Sequence, residues 1–248
     1  MRTGPAQPEL TNFITIAAEK MGPGPLSHCL LALEPVIFSL IIIFIISIAA
    51  FFAARRPASV PGRLQSAAEL LVGGLDDFVC GILGTQGRRF TPFIGTLFIY
   101  ILLMNLSGIV PMMRSSTSSW STTLALALCV FFYLQYTAIR ELGFSGYIYH
   151  LLGKPKGIIA LSVVIPLLML FIEIVTQFVR PISLSLRLRS NIWGDDMLLA
   201  VLAGFGLKGI PLLLFNMLLA ILASVVQATV FCLLTTIYFA LALTHEEA

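Results

Sequence analysis

Arg187 is the residue of this chain whose chemistry is best suited to acting on an ion. It stands in the run 181–191, where most of its neighbours are Leu, Ile and Ser. A guanidinium does not lose its proton near neutral pH, and placing it at membrane depth costs at least ~3 kcal/mol. A chain that keeps this charge between apolar runs is expected to use it on an ion or on the carboxylate of a partner.

The residues around Arg187 are spaced so that their side chains share one helical face. Successive steps of four and three along an α-helix return to the same side. The residues at these steps are Glu173, Gln177, Arg180, Leu184, Arg187 and Asn191. A polar stripe on an otherwise apolar helix indicates a surface that faces protein or water. The pattern alone is compatible with any transporter.

The last apolar run carries a second, sparser stripe on one helical face. Its members are Asn216, Ala220, Ala223 and Gln227. Small side chains allow another helix to approach closely. The Gln227 amide can donate and accept hydrogen bonds, so it could hold Arg187 or a water molecule without adding charge.

The composition predicts an all-α integral membrane protein. Of 248 residues, 58% are hydrophobic and 11% are charged, and the mean hydropathy is +0.98. These values exclude an ordinary soluble domain, and in lipid long apolar runs must become helices. The net charge of +3 suggests no nucleic-acid partner, and the four scattered cysteines show no metal-ligand spacing. No cofactor or metal is expected.

The hydropathy pattern predicts about five transmembrane helices and one interfacial amphipathic helix. An extramembrane lead, 1–28, precedes a single membrane domain, 29–248. This domain comprises a first crossing at 29–56, the interfacial helix at 61–85, a transmembrane hairpin at 91–139 and a long C-terminal helix hairpin at 157–244. The pair Gly73 and Gly74 weakens the continuity expected of the interfacial helix. A loop is expected at 140–156.

The last uncharged run, 209–244, is too long to stand upright in lipid. As one helix it would measure about 54 Å, against a hydrocarbon core of about 30 Å. It must tilt strongly, break or lie against a protein partner, and steep tilt along a neighbouring surface is the preferred interpretation.

The distribution of lysine and arginine predicts the orientation of the chain. Five crossings place eight of these residues on one side and four on the other. The side with eight is expected to be cytoplasmic, which puts the N-terminus outside and the C-terminus inside. The eight are Arg55, Arg56, Arg63, Arg88, Arg89, Arg140, Lys154 and Lys156; the four are Arg2, Lys20, Arg114 and Lys208.

Several segments together resemble subunit a of F-type ATP synthases. The run 181–191 followed by Asp196 is similar to the segment around that family's essential arginine. Residues 226–238 resemble its final helix, with a glutamine at 227, and 104–111 resemble its Asn-Leu signature ending in proline. Glu173 stands fourteen residues before Arg187, where the family has a glutamate.

The resemblance implies a function as an ion-translocating stator subunit with no active site of its own. Arg187 would lie between two half-channels and face a ring of c subunits. Glu173, Asn191, Asp196 and Gln227 would line the ion pathway; Glu173 and Asp196 are assigned to one half-channel, and Gln227 is placed beside Arg187. The carried ion would be a proton, with sodium as an alternative.

The resemblance also implies partners and a location. The partners are the c-subunit ring, the b-subunit peripheral stalk, the other F0F1 subunits and the lipid bilayer, and a bacterial plasma membrane is the preferred location.

Some residues depart from the family pattern. Asp195 stands where glycine is typical, Ala220 where some members carry histidine, and Arg189 adds a second cation near Arg187.

Two rival functions leave different signatures in a sequence. A self-contained secondary transporter or channel typically shows an internal repeat with two matching broken helices, and none is found here. An intramembrane enzyme needs a nucleophile with a base or a metal site, and no HExxH, GxSxG or DxxxD arrangement occurs.

Overall fold

The computed structural model describes residues 25–54, 62–110, 117, 119–151 and 161–243, and the regular structure within these ranges is helical. They form six α-helices and two short 3₁₀ turns. The helices are α1 Pro25–Ala54, α2 Arg63–Leu83, α3 Thr91–Ser107, α4 Trp120–Leu151, α5 Leu161–Ala203 and α6 Ile210–Leu243, and the 3₁₀ turns are Gly84–Arg89 and Gly206–Gly209. The predicted all-α fold is confirmed. Most of the expected lead, 1–28, lies outside the described residues.

Four of these helices are long and apolar enough to cross a bilayer. Their spanning segments are Leu33–Phe52, Trp120–Glu141, Leu167–Leu202 and Ile210–Ala242, and the shorter α3 is also apolar. Helix α5 has 43 residues and α6 has 34. At 1.5 Å per residue they measure about 64 and 51 Å, well beyond a hydrocarbon core of about 30 Å. Helices of this length cannot stand upright within it, as the sequence indicated for the last run.

Helix α6 forms the centre of the bundle and contacts α2, α3, α4 and α5. Helix α4 lies mainly along α5, and α3 mainly along α6. The two helices of the expected hairpin, α3 and α4, meet through aromatic rings, with the Phe93 and Tyr133 centroids 4.3 Å apart. Phe239 of α6 lies 4.8 Å from Phe90 in the same cluster. This core holds one side of α5 and leaves its other side exposed.

Helix α2 runs without interruption through Gly73 and Gly74, so the expected weak point does not break it. Leu75 and Val79 bury one face, while Leu70 and Val72 are exposed. Thr91 at the start of α3 donates a 2.7 Å hydrogen bond to the Asp76 carboxylate. That bond holds the pKa of the Asp76 carboxyl below its usual range, so the group stays ionised at neutral pH and fastens α2 to α3.

The expected loop at 140–156 is in fact helical as far as Leu151, with a kink at Gly143. Gly143 has a φ of 68°, which residues with a side chain rarely adopt. Beyond the kink, the Tyr147 hydroxyl donates to the Gln135 side-chain oxygen. Before the kink, Glu141 pairs with Arg89 at 2.6 Å. The Tyr147 bond ties the second part of α4 back to the first part, and the Glu141 pair ties the first part to the 3₁₀ turn before α3. Hydropathy alone indicates neither contact.

We expect Gly209→Ala to lower stability, because the turn between α5 and α6 leaves no room for a side chain there. A Cβ on Gly209 would lie 2.7 Å from the Leu202 carbonyl oxygen and 3.1 Å from the Phe205 Cβ. Crowding of this kind costs about 1–3 kcal/mol. The thermal midpoint of the purified, detergent-solubilised protein measures the effect. Gly81→Ala is the matched control, since its Cβ meets nothing within 4 Å, and equal midpoints for the two variants would contradict the expectation.

Candidate functional site

Arg187 lies on the exposed side of α5, next to the fully buried Leu188. Within the described residues, its guanidinium has no hydrogen-bond or ion-pair partner. Ser183, Ser190 and Gly194 are exposed on the same side of the helix. The cation therefore borders a face of apolar and small side chains that the described part of the chain leaves uncovered.

The part of the stripe that precedes Arg187 turns towards α4. Gln177 accepts a 2.8 Å hydrogen bond from the Gln135 amide and a 3.1 Å bond from the Tyr147 hydroxyl. Each of these side chains is partly buried between α4 and α5. The polar stripe predicted from the sequence thus has a polar counterpart on the neighbouring helix.

Glu173 and Arg180 form an ion pair in the same region. Their closest nitrogen and oxygen atoms are 3.8 Å apart, with the two side chains 34% and 21% exposed respectively. The Arg180 guanidinium also lies 5.1 Å from the ring centroid of Tyr238, a favourable cation–π geometry. Arg180 is therefore held between a carboxylate on its own helix and an aromatic ring of α6.

A small cavity lies beside this ion pair, between α4, α5 and α6. Its volume is about 10 Å³. Its polar lining consists of the side chains of Gln135, Gln177, Arg180 and Tyr238, and Ala127, Val130, Leu134 and Leu184 are among its apolar residues.

A second cavity lies on the other side of Arg187, between α3, α5 and α6. Its volume is about 20 Å³, which is room for one water molecule. Helix α5 contributes Asn191, Asp195 and Asp196, α3 contributes Asn105, and α6 contributes Asn216, Ala220 and Ser224. The structure thus brings the predicted pathway residues Asn191 and Asp196 together.

Three buried amide nitrogens lack a hydrogen-bond partner among the described residues. They belong to Asn105, Asn216 and Gln227, whose residues are 6%, 2% and 6% exposed. An unpaired buried amide costs free energy, and such groups are rare in folded proteins. Asn216 and Gln227 lie on one face of α6, so these unpaired donors follow the stripe that the sequence indicated.

The structure separates Glu173 from Asp196, which the sequence analysis had assigned to one half-channel. They stand 23 residues apart in the continuous helix α5, or about 34 Å at 1.5 Å per residue. Arg187 lies between them. One path cannot hold both on the same side of Arg187, so that assignment does not fit the fold. Gln227 is buried, and within the described residues it makes no hydrogen bond to Arg187.

Sequence reasoning missed Gln135, which lines the first cavity, and Tyr147, which donates a hydrogen bond to Gln177 beside it. It singled out Asn216 and Asp195 but did not include them in the ion pathway, and both line the second cavity. The signal for Gln135 was a polar residue within an apolar run. Glu34, another such residue, is buried in α1.

Arg189 has a structural contact that separates it from Arg187. Its guanidinium lies 5.2 Å from the ring centroid of Trp120, at the start of α4. This contact ties α5 to α4.

No cluster of three or more His, Cys, Asp or Glu side chains that could hold a metal occurs in the described part of the chain.

Comparison with known proteins gives a consistent family. Residues 36–240 match the family described as ATP synthase A chain. The chain is 38% identical to ATP synthase subunit a of Protochlamydia amoebophila, covering 97% of this chain and 91% of that protein. It is 36% identical to ATP synthase subunit a of Desulfotalea psychrophila, covering 95% and 98%. The corresponding protein of Sulfurihydrogenibium is 32% identical, covering 86% and 99%.

These matches extend over nearly the whole membrane domain and include both long helices with Arg187, Asn191, Asp196 and Gln227. The chain belongs to the ATP synthase A chain family.

Proposed function

We propose that this protein is the proton-translocating stator subunit of the F0 sector of an ATP synthase. In this proposal the outer face of α5 lies against a ring of c subunits, each of which carries a carboxylate in mid-membrane. Arg187 stands at that contact, between two half-channels that open to opposite sides of the membrane. The protein conducts protons and does not itself catalyse ATP synthesis.

The observation that carries the proposal is the position of two cavities on either side of Arg187, each with several polar side chains in a partly apolar lining. One is lined by α5 residues 177–184 together with α4, and the other by α5 residues 191–199 together with α3. Their centres are about 14 residues apart along α5, or roughly 21 Å. Two offset cavities that contain polar side chains, with a fixed cation between them, support a two-half-channel mechanism.

The charge of Arg187 explains how this arrangement would couple proton flow to rotation. A carboxylic acid that arrives opposite a fixed cation loses its proton more readily, because the cation stabilises the carboxylate. The released proton leaves through one half-channel, and the carboxylate regains a proton from the other after the ring turns. The same cation repels a proton moving directly between the half-channels. One proton crossing 100 mV supplies about 2.3 kcal/mol.

The other residues receive distinct roles in this proposal. Glu173, with its partner Arg180, serves the half-channel on the α4 side. Asp196 and Asn191 serve the half-channel on the α3 side. A carboxylate can pass a proton on, whereas Asn191 and Gln227 position water or the ring carboxylate through their amides.

The lysine and arginine asymmetry supports a C-terminus in the cytoplasm and an N-terminus outside. The relatives described above are bacterial, which supports a location in the bacterial plasma membrane. In the assembled complex the remaining partners are the b-subunit stalk and the other F0F1 subunits.

The proposed contact with the ring is tested by cysteine cross-linking in the intact complex. In a background without the native cysteines, we expect Ser183→Cys and Ser190→Cys to form disulfides with cysteines placed on the outer helix of the c subunit. Both serines are exposed on the Arg187 side of α5. Products are detected by immunoblotting after mild oxidation.

Ser185→Cys is the matched control, because Ser185 is fully buried on the other side of the same helix. We expect it to give no product with the c subunit. Two outcomes would contradict the proposal by placing the ring elsewhere. One is cross-linking at Ser185 but not at the exposed positions, and the other is labelling of all three positions by lipid-soluble reagents only.

A further inference from the structure

The cavity between α3, α5 and α6 has a lining that selects what it can bind. Asn105 and Asn216 line it, and each leaves its side-chain nitrogen without a partner. The Asn105 side-chain oxygen already accepts a 3.1 Å hydrogen bond from Thr117. Its NH₂ group is therefore the part of the amide that still needs a partner, and that partner must be an acceptor.

The two carboxylates of the cavity further limit which species can bind there. Asp195 and Asp196 line the same space, and their negative charge disfavours an anion. The unpaired NH₂ groups disfavour a bare cation, because their hydrogens carry partial positive charge. Water satisfies both, since its oxygen accepts from the amides and its hydrogens donate to the carboxylates. The volume of about 20 Å³ suits one such molecule.

We propose that Asn105 and Asn216 bind a water molecule that relays protons within this cavity. The water exchanges protons with the carboxyl groups of Asp195 and Asp196 and passes them on towards the end of the cavity at Asn191. This inference rests on the proposed function, since it concerns the half-channel on the α3 side. It adds Asn216 as a positioning residue and Asp195 as a second proton-exchanging group. The water accepts a proton from one carboxyl group and releases one of its own protons to the next acceptor, so its composition is unchanged.

The placement of Asp195 supports its inclusion. It lies within α5, partly buried, eight residues before the end of the helix at Ala203. This is not the position of a solvated charge at a helix end. Across the cavity, α6 contributes the small side chains of Ala220 and Ser224. Among the described residues, the titratable groups that line the cavity are Asp195 and Asp196, both on α5, while α3 and α6 contribute amides, a hydroxyl and apolar groups.

The role of Asn216 is tested by comparing Asn216→Leu with Asn216→Ser in the whole complex. Passive proton conduction is measured in membrane vesicles stripped of F1, with a potassium diffusion potential as the driving force. Leucine fills the space of the amide and offers no hydrogen bond, so conduction is expected to fall about tenfold or more. Serine keeps a hydroxyl and leaves room for water, so conduction is expected to stay within about threefold of the parent.

A purely structural role for Asn216 gives the opposite order. Leucine suits a buried position in an apolar helix, whereas serine leaves a void, so conduction with serine would then be the lower. That order, or equal conduction in both variants, overturns the proposal. Thr235→Val is the control, since Thr235 is fully buried on α6 and its hydroxyl donates to the Phe231 carbonyl of its own helix. This variant is expected to conduct like the parent.

Asp195 is tested in the same vesicles. Asp195→Asn keeps the size of the side chain but cannot exchange a proton, so conduction is expected to fall about tenfold, and Asp195→Glu is expected to restore it to within about threefold. Unchanged conduction in Asp195→Asn removes Asp195 from the path. If proton conduction requires sodium or is inhibited by it, the cavity binds a cation instead of water, and the inference is overturned.

Arg187→Ala in vesicles that retain F1, with ATP-driven proton pumping as the readout, separates the two proposals. If this variant is uncoupled and the Asn216 and Asp195 variants behave like the parent, only the water site fails. If Arg187→Ala retains normal coupling, the proposed function itself fails.

Discussion

Replacing Arg187 by alanine is expected to abolish proton-driven ATP synthesis while the complex still assembles. The guanidinium lies on the exposed side of α5 without a partner in the described part of the chain, so its removal breaks no internal contact. Keeping the charge at membrane depth costs at least ~3 kcal/mol, so its interaction with the ring carboxylate must contribute at least that much. Losing this interaction in the alanine variant corresponds to a factor of about 100 or more in coupled activity.

The measurement compares ATP synthesis and ATP-driven proton pumping in vesicles that contain equal amounts of assembled complex. Arg187→Lys is the informative control, because lysine retains a cation but can lose its proton when desolvated, and it lacks the planar guanidinium. We expect an intermediate loss for the lysine variant. Normal pumping by the Arg187→Ala complex would show that the cation has no part in coupling.

Arg189 provides a second control two positions away. It carries the same side chain but stacks on Trp120 within this chain. Arg189→Leu removes a cation–π contact of about 0.5–1 kcal/mol at an exposed site. We attribute to it a modest effect on stability and no loss of coupling. The contrast between Arg187 and Arg189 separates a charge that faces a partner from one that is used internally.

The sequence was sufficient for the helical membrane architecture, because in lipid an apolar run has few alternatives to a helix. It also aligned Glu173, Gln177 and Arg180 on one face, and the structure confirms that Glu173 and Arg180 are close enough to pair. These successes share a cause. Residues three or four apart in a helix are neighbours whatever surrounds the helix.

The two cavities could not be predicted, because their residues are far apart in the sequence. Asn105, Asn191 and Asn216 come from three different helices, and no local period connects them. The contact of Tyr147 with Gln177 depends on the kink at Gly143, which appeared in the sequence only as one of several glycines in an expected loop. The assignment of Glu173 and Asp196 to one path failed for a related reason: it disregarded the length of a continuous helix between them.

The arrangement around Arg187 suggests why the fold uses such long helices. A proton path needs polar groups, but polar groups that connected across the membrane would form a leak. Helix α5 separates the two cavities by several turns, and the fully buried Leu188 and Ser185 lie beside Arg187 between them. In the proposed mechanism, the long helix would carry both paths and keep them apart.

Replacing Glu173 by glutamine is expected to lower proton conduction about tenfold to a hundredfold if its carboxyl group relays protons. The ion pair with Arg180 gives a competing explanation, in which Glu173 serves only to balance the Arg180 charge. The two roles differ in what happens when Arg180 is also neutralised. The double variant Glu173→Gln with Arg180→Gln removes both charges and leaves no unbalanced cation.

If Glu173 only balances Arg180, the double variant should conduct better than Glu173→Gln, because the cation that repels protons is gone. If Glu173 relays protons, the double variant should remain as poor as the single one, while Glu173→Asp should retain much of the parent conduction. Tyr238→Leu serves as the control for Arg180, since it removes the ring beneath the guanidinium without changing any charge. We expect the relay pattern, because the Glu173 side chain is one-third exposed, so its carboxyl group stays accessible while it is paired with Arg180. Recovery of conduction in the double variant would show that Glu173 only balances the Arg180 charge. The groups left to hold water in the α4-side cavity would then be the amides of Gln135 and Gln177 and the Tyr238 hydroxyl.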